Sequence, residues 1–273
     1  MKYITGFLLF LSLQAAAGPG HPGPKLHVFD CGLLNLDSLE IFNLGENESS
    51  VRQLFVPCYL IAHEKGRLIW DGGLPKAVAD AGQPVEIEGG SMVYNLWIVD
   101  QLADMGLSPA DITYVAYSHL HFDHAGAANS LLKGEVLMQQ REWDAAYGDS
   151  AEFTDTSLFD GLKEARVTFI DGDHDIFGDG SVRLIYAPGH TPGHQVLLVN
   201  LENTGPVLLS GDLYHTRANR RLRRVPTFNA DAAQTLASME KIEQLLAATG
   251  ATLWIEHDKA LADTLKLAPE YYD

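Results

Sequence analysis

Apolar residues along this chain fall mostly into short runs broken by Gly, Asp and Pro. Residues 26–29, 55–62, 67–70, 112–117, 135–139, 166–170, 182–187, 195–200, 207–209 and 253–255 form such runs. Their length and their β-branched and aromatic content predict strands. Helical spacing appears in fewer places. Val93, Leu96, Trp97, Leu102 and Met105 share one helical face and stop at Gly106, which predicts a helix over 93–105. Residues 231–248 read as a second helix, with Asp near the start and Gly250 past the end. Shorter helices are expected over 124–131, 141–147 and 258–267. Strands followed by strand–helix units occur once in each half, and no linker separates the halves. That order predicts an α/β chain whose two β-sheets pack back to back with helices outside, as one domain over 26–273.

The first residues break this pattern. Lys2, an apolar stretch from Ile4 to Leu13 and the small residues Ala15-Ala16-Ala17 follow in the order of an export signal, so 1–17 is read as a signal peptide. Residues 18–25, rich in Gly and Pro, are read as a linker. The apolar stretch is too short to span a bilayer comfortably. The expected product is an exported, periplasmic or secreted protein with no stable membrane anchor. Its two cysteines, Cys31 and Cys58, are read as buried free thiols, although an oxidising compartment permits a bridge.

With 273 residues and 46% hydrophobic content the chain can bury a sizeable core. A formal net charge of −17 argues against nucleic acid as a partner. A small, neutral or weakly charged substrate is the simpler expectation. The five arginines between Arg217 and Arg224 are read as a solvated segment with local ion pairs.

The strongest chemical signal is His119-Leu120-His121-Phe122-Asp123-His124, placed just after the run 112–117. Neutral imidazole and carboxylate suit zinc and similar divalent ions. Four such groups in six residues would repel unless a cation gathers them. Three more polar stretches follow apolar runs. These are Pro188-Gly189-His190-Thr191-Pro192-Gly193-His194, Ser210-Gly211-Asp212 and Glu256-His257-Asp258. Taken alone, each of those residues could be an ordinary loop or capping residue. Strand ends converging on one edge would gather them into a single metal site.

With these motifs the chain resembles the metallo-β-lactamase superfamily, from about Leu26 onward. Within it, Val56-Pro57-Cys58-Tyr59-Leu60-Ile61, Gly189-His190-Thr191-Pro192-Gly193-His194-Gln195 and the segment Ser210 to Asn219 look like the N-acyl-homoserine lactonases, the quorum-quenching enzymes. The resemblance implies an αββα sandwich of two mixed sheets with two Zn²⁺ at one edge, other divalent metals being compatible. Carried over by position, it implies one zinc on His119, His121 and His194 and a second on Asp123, His124 and His257. Asp212 would bridge them, and His190 would be the less favoured histidine of its loop. Asp71, in Asp71-Gly72-Gly73, resembles a residue that orients a ligand.

The implied chemistry is lactone opening by hydroxide activated at the metals, with Asp123 passing the proton to the leaving oxygen. One position departs from the group. A Tyr is usual three residues after the bridging Asp, whereas this chain has His215 there and Tyr214 one residue earlier. Either side chain is a candidate for the substrate carbonyl. The same ligands would serve a β-lactamase or another ester, thioester or phosphodiester hydrolase, and a non-catalytic metal-binding protein is the reading outside enzymology. An acidic bridge at Asp212 favours the lactonase over the β-lactamase. A homodimer is left open.

Overall fold

In the computed structural model, which describes residues 23–148 and 156–273, the apolar runs become strands of two sheets. The strands are β1 (Lys25–Leu36), β2 (Gln53–His63), β3 (Gly66–Trp70), β4 (Val85–Ile87), β5 (Gly90–Val93), β6 (Tyr114–Ala116), β7 (Glu135–Gln139), β8 (Val167–Ile170), β9 (His174–Asp175), β10 (Val182–Tyr186), β11 (Gln195–Leu201), β12 (Gly205–Leu209) and β13 (Thr252–Trp254). The helices are α1 (Lys76–Ala81), α2 (Ile98–Asp104), α3 (Gln140–Tyr147), α4 (Arg217–Leu222), α5 (Ala232–Thr249) and α6 (Lys259–Ala262). One sheet runs β4-β5-β1-β2-β3-β6-β7-β8 and the other β13-β12-β11-β10-β9. Both are mixed. In the first, β1, β2 and β3 pair antiparallel while β3, β6, β7 and β8 pair parallel. In the second, β12 and β13 are parallel. The signal peptide expected over 1–17 lies outside the described residues.

The sandwich follows from strands buried on both faces. Along β2, Phe55, Tyr59 and Ile61 point into the layer between the sheets, where they meet Leu184, Leu197 and Val207. The alternate residues Leu54, Val56, Cys58 and Leu60 point outward onto Trp97, Ile98 and Leu102 at the start of α2 and within it. Strand β11 does the same in the second sheet. Leu197 and Val199 face inward, while Val196 and Leu198 pack under Met239, Ile242 and Leu246 of α5. Period-two alternation with both faces apolar reads in sequence as an unbroken run, which is why these strands stood out.

Three helix boundaries differ from the sequence reading. The helix expected over 93–105 starts at Ile98, because Val93 ends a hairpin of two short strands, β4 and β5, that the periodicity concealed. The helix expected over 124–131 is a single 3-10 turn, Ala128–Ser130, since residues 119–126 spend their backbone on arranging the polar cluster. The helix expected over 258–267 is limited to Lys259–Ala262. The arginine-rich segment is α4, capped by Thr216, whose side chain accepts the Asn219 N–H. Its arginines do form local pairs, such as Arg220 with Glu243 at 2.7 Å. Among the described residues no helix is long and apolar enough to cross a membrane.

The cysteines are not free thiols. Pairing of β1 with β2 sets Phe29 opposite Cys58, and Cys31 and Cys58 are joined by a disulfide with a Cα–Cα distance of 5.7 Å. Both cysteines are fully buried.

Candidate metal centre

The parallel strands β3 and β6 end side by side, and the polar cluster begins where they stop. Asp71 leaves β3 in the left-handed region, with φ 60°. A non-glycine residue keeps that conformation when its surroundings over-determine it. Here the carboxylate does so. Oδ1 accepts the Ser118 N–H at 2.6 Å, and Oδ2 accepts the Ser118 hydroxyl at 2.9 Å and the His124 Nδ1–H at 2.8 Å. The Ser118 proton is thereby committed, so its oxygen accepts the His119 Nδ1–H at 3.0 Å.

These outer bonds set tautomers. His257 donates its Nδ1–H to the Phe55 carbonyl at 2.7 Å, and His190 donates its own to Asn229 Oδ1 at 3.1 Å. In each case the outer bond engages Nδ1, so His119, His124, His190 and His257 all turn Nε2 to the interior. Those atoms converge. His190 Nε2 stands 3.2 Å from His119 Nε2 and 3.0 Å from His121 Nδ1, and His124 Nε2 stands 3.3 Å from His257 Nε2.

Asp212, after β12, lies between the two sets. Its Oδ2 is 3.2 Å from His190 Nε2 and 3.7 Å from His119 Nε2. Its Oδ1 is 2.8 Å from His257 Nε2 and 3.2 Å from His124 Nε2. Asp123 Oδ2 approaches His257 Nε2 at 3.6 Å and His124 Nε2 at 3.9 Å. Two donor groups result, His119–His121–His190–Asp212 and Asp123–His124–His257. Imidazole nitrogens packed this closely around two carboxylates call for cations among them, protons on His124 and His257 or metal ions in their place.

The proton equilibria suit such donors. Burial, then the neighbouring imidazoles, keeps His119 well below its ordinary pKa. Burial and His190 do the same to His121. Both rings stay neutral. Burial works against the Asp212 carboxylate, but His215, His257 and His124 outweigh it and hold the group well below the usual carboxylate range. Burial also works against charge on His257, yet Asp212 and Asp123 push it up to about 9. A proton and a metal ion therefore compete for that ring.

One sequence assignment is overturned. His194, placed with His119 and His121 by resemblance, has both ring nitrogens engaged elsewhere. Its Nδ1–H donates to the Ala187 carbonyl at 2.9 Å, and its Nε2 accepts the Asp212 backbone N–H at 3.0 Å. No lone pair is left for a ligand role. His190 occupies the place expected for His194. The two histidines are four residues apart in a Pro-Gly loop, so strand periodicity could not choose between them. The available signal was Gly189, whose φ of 129° and close approach to Thr235 turn the chain so that His190 points inward.

The alternatives at 214 and 215 also separate. His215 is buried, with Nε2 2.9 Å from Asp212 Oδ2, and its ring stacks on His257 with centroids 5.9 Å apart. Its Nδ1 has no hydrogen-bond partner. Tyr214 leads away. It packs beneath α5, and its hydroxyl donates to Glu243 Oε1 at 2.8 Å. A groove of about 1150 Å³ reaches His257 between the Glu46 to Gln53 segment and α4. Phe228, 44% exposed, lies 5.7 Å from the His215 ring, and Phe122, within the histidine cluster, is 42% exposed.

Known proteins are similar to this chain in sequence and fold. A family model described as the metallo-beta-lactamase superfamily matches residues 51–249. An N-acyl homoserine lactonase AttM of Azorhizobium caulinodans is 32% identical over 269 residues, covering 91% of this chain and 98% of its own. An N-acyl homoserine lactonase of a Bacillus species is 32% identical over 253 residues, covering 90% and 98%. Among solved structures, an N-acyl homoserine lactone hydrolase with the product N-hexanoyl-L-homoserine at its catalytic metal centre superposes with a TM-score of 0.75. It is 26% identical and covers 92% of this chain and 99% of its own.

Proposed function

We propose, on the premise that this chain belongs to the metallo-β-lactamase superfamily, that it is a dinuclear zinc hydrolase opening the ring of N-acyl-homoserine lactones. The observation that carries the metal reading is the convergence of buried Nε2 atoms from two groups on the Asp212 carboxylate between them. Neutral nitrogen and carboxylate oxygen in tetrahedral-sized groups suit Zn²⁺. His119, His121 and His190 would hold one ion, Asp123, His124 and His257 the other, and Asp212 both. The lactone reading is supported by lactonase relatives that match nine-tenths of this chain.

When bound, such ions supply an activated water and a Lewis acid for a carbonyl oxygen. The remaining work falls to the chain. Asp123, beside the second group and 94% buried, takes the proton of the attacking water and delivers it to the departing ring oxygen. His215, with Nε2 against Asp212 and Nδ1 without a partner, donates to the substrate carbonyl as negative charge develops there. Asp71 and Ser118 hold the donor rings in the correct tautomer.

The test is a panel on zinc-loaded mature protein containing short- and long-chain acyl-homoserine lactones, a simple lactone, a β-lactam, a thioester and a phosphodiester. Ring opening of the acyl-homoserine lactones is expected. Cleavage of the β-lactam with the lactones left intact overturns the substrate. Export is part of the same reading. Lys2, the apolar Ile4–Leu13 stretch and Ala15-Ala16-Ala17 support it, as does a buried disulfide suited to an oxidising compartment. Sequencing the amino terminus of the protein recovered outside the cytoplasm checks cleavage before Gly18.

A further inference from the structure

The two loops that supply His119, His121 and His190 come from different sheets. The first follows β6 of the larger sheet, and the second joins β10 to β11 in the smaller. Something must fix their separation, because a displacement of about 1 Å is enough to spoil a metal site. Glu142, in the first turn of α3, lies at their junction and is 2% exposed. Its Oε1 accepts the Leu120 backbone N–H at 2.9 Å. Its Oε2 accepts the Thr191 hydroxyl at 2.7 Å and the Gly193 backbone N–H at 2.9 Å. Leu120 sits between His119 and His121, and Thr191 directly follows His190. One carboxylate therefore holds both loops at the residues that flank the ligands.

No salt-bridge partner for Glu142 is present among the described residues, so the backbone and hydroxyl donors are what stabilise a charge that burial opposes. The backbones also touch. A Cβ on Gly193 would stand 2.3 Å from Glu142 Cβ and 2.4 Å from its nitrogen, so the second loop lies directly on α3. Gln195 adds a parallel tie, its N–H donating to Ser118 O at 3.0 Å.

We infer that Glu142 is a positioning residue for the His119–His121–His190 group, setting the distance between its two loops and hence the affinity for one metal ion. This rests on the metal reading above. Glu142→Gln keeps size and one acceptor but presents an amide N–H₂ to a backbone donor. Zn²⁺ and Co²⁺ affinities of the full chain, measured at 25 °C by competition with a chromophoric chelator, should fall about 10–100-fold for one equivalent and far less for the other. The visible spectrum of the Co²⁺ form should change. The kcat should drop at limiting zinc and recover in excess zinc, with KM changing less than about twofold. Glu142→Asp, which keeps the charge, should recover part of the affinity.

A variant that melts earlier yet keeps parental metal affinities and Co²⁺ spectrum overturns the inference, leaving Glu142 a purely structural residue. Should Glu142→Gln fail to fold, Thr191→Val removes one of the three bonds and must lower the same affinity in the same direction. If the parent binds two ions but opens no lactone, the substrate reading fails while the affinity comparison still decides the role of Glu142.

Discussion

His194 Nε2 accepts the backbone N–H of Asp212 at 3.0 Å, while His190 Nε2 faces the same residue's carboxylate at 3.2 Å. The first histidine holds the loop and the second shares its pocket of donors. Replacement separates the roles. His190→Ala should bind one metal equivalent fewer than the parent after dialysis, because a ligand is gone. His194→Ala should keep both equivalents and bind them about 10–100-fold more weakly, through a loosened Asp212. Elemental analysis beside chelator competition checks both. The opposite pattern would return His194 to the ligand set.

Asp123 Oδ2 lies 3.6 Å from His257 Nε2 and belongs to the donor group most exposed to competition from protons. In its proposed role of proton carrier it should matter to turnover more than to substrate binding. Asp123→Asn is expected to lower kcat by about 10²–10⁴-fold. Assays in saturating zinc remove the contribution from weakened metal binding. A loss fully restored by added zinc would make Asp123 a ligand only.

The sandwich was legible because both-face burial writes itself into β2 and β11 as continuous apolar runs. The cluster from His119 to His124 was legible because such a density of ligands has no other economical use. What sequence could not supply was aim. His190 and His194 have the same chemistry, the same loop and the same proximity to β11, and only the backbone turn at Gly189 separates their directions. Glu142 was invisible for a different reason. It sits on an amphipathic helix among other charged residues, and only the tertiary approach of Leu120, Thr191 and Gly193 makes it a clamp. The disulfide depended on the register that sets Phe29 opposite Cys58, which no local pattern encodes.

That disulfide closes a loop with a sequence separation of 27. Chain-entropy arguments give about 3.5 kcal/mol for a loop of that size. At roughly 2–4 °C per kcal/mol for a domain of this length, removal should lower the melting temperature by about 7–14 °C. The double variant Cys31→Ala, Cys58→Ala compared with the parent measures this. Thiol titration of the unreduced, denatured parent should find no free thiol, and finding two would overturn the bridge.

Asp179 supplies a pH test away from the metal centre. It faces His63 Nε2 at 3.0 Å and Lys65 Nζ at 3.3 Å, and accepts the Ser181 hydroxyl at 2.6 Å. Burial opposes its charge, but the Ser181 bonds, Lys65 and His63 prevail and lower the pKa to about 2. A carboxyl lowered on folding from an unfolded value of about 3.9 stabilises above that value and loses its contribution as pH falls through 2. With the side chain 34% exposed, screening limits the effect to about 1 kcal/mol or less. The urea midpoint of Asp179→Asn should therefore lie below the parent's at pH 6 and approach it near pH 2. An equal gap at both values would remove the linkage.

His215 and Tyr214 are adjacent in sequence and opposed in direction, which makes them a matched pair. The His215 ring is buried between Asp212, His257 and Phe228, with Nε2 against Asp212 Oδ2 and no partner for Nδ1. An unsatisfied buried polar group costs about 1–3 kcal/mol, a cost retained where the group serves a ligand. Tyr214 spends its hydroxyl on Glu243 under α5. Removing an oxyanion donor costs about 10²–10³-fold in kcat, so His215→Ala should lose activity on that order while Asp212 stays in place and metal content is unchanged. Tyr214→Phe should cost about 1 kcal/mol of stability, the worth of one hydrogen bond, and leave kcat/KM within about twofold. Kinetics on both variants at full metal occupancy decide the matter. Parental activity in His215→Ala would withdraw the carbonyl contact, and a large kinetic loss in Tyr214→Phe would show that the loop turns Tyr214 inward when substrate binds.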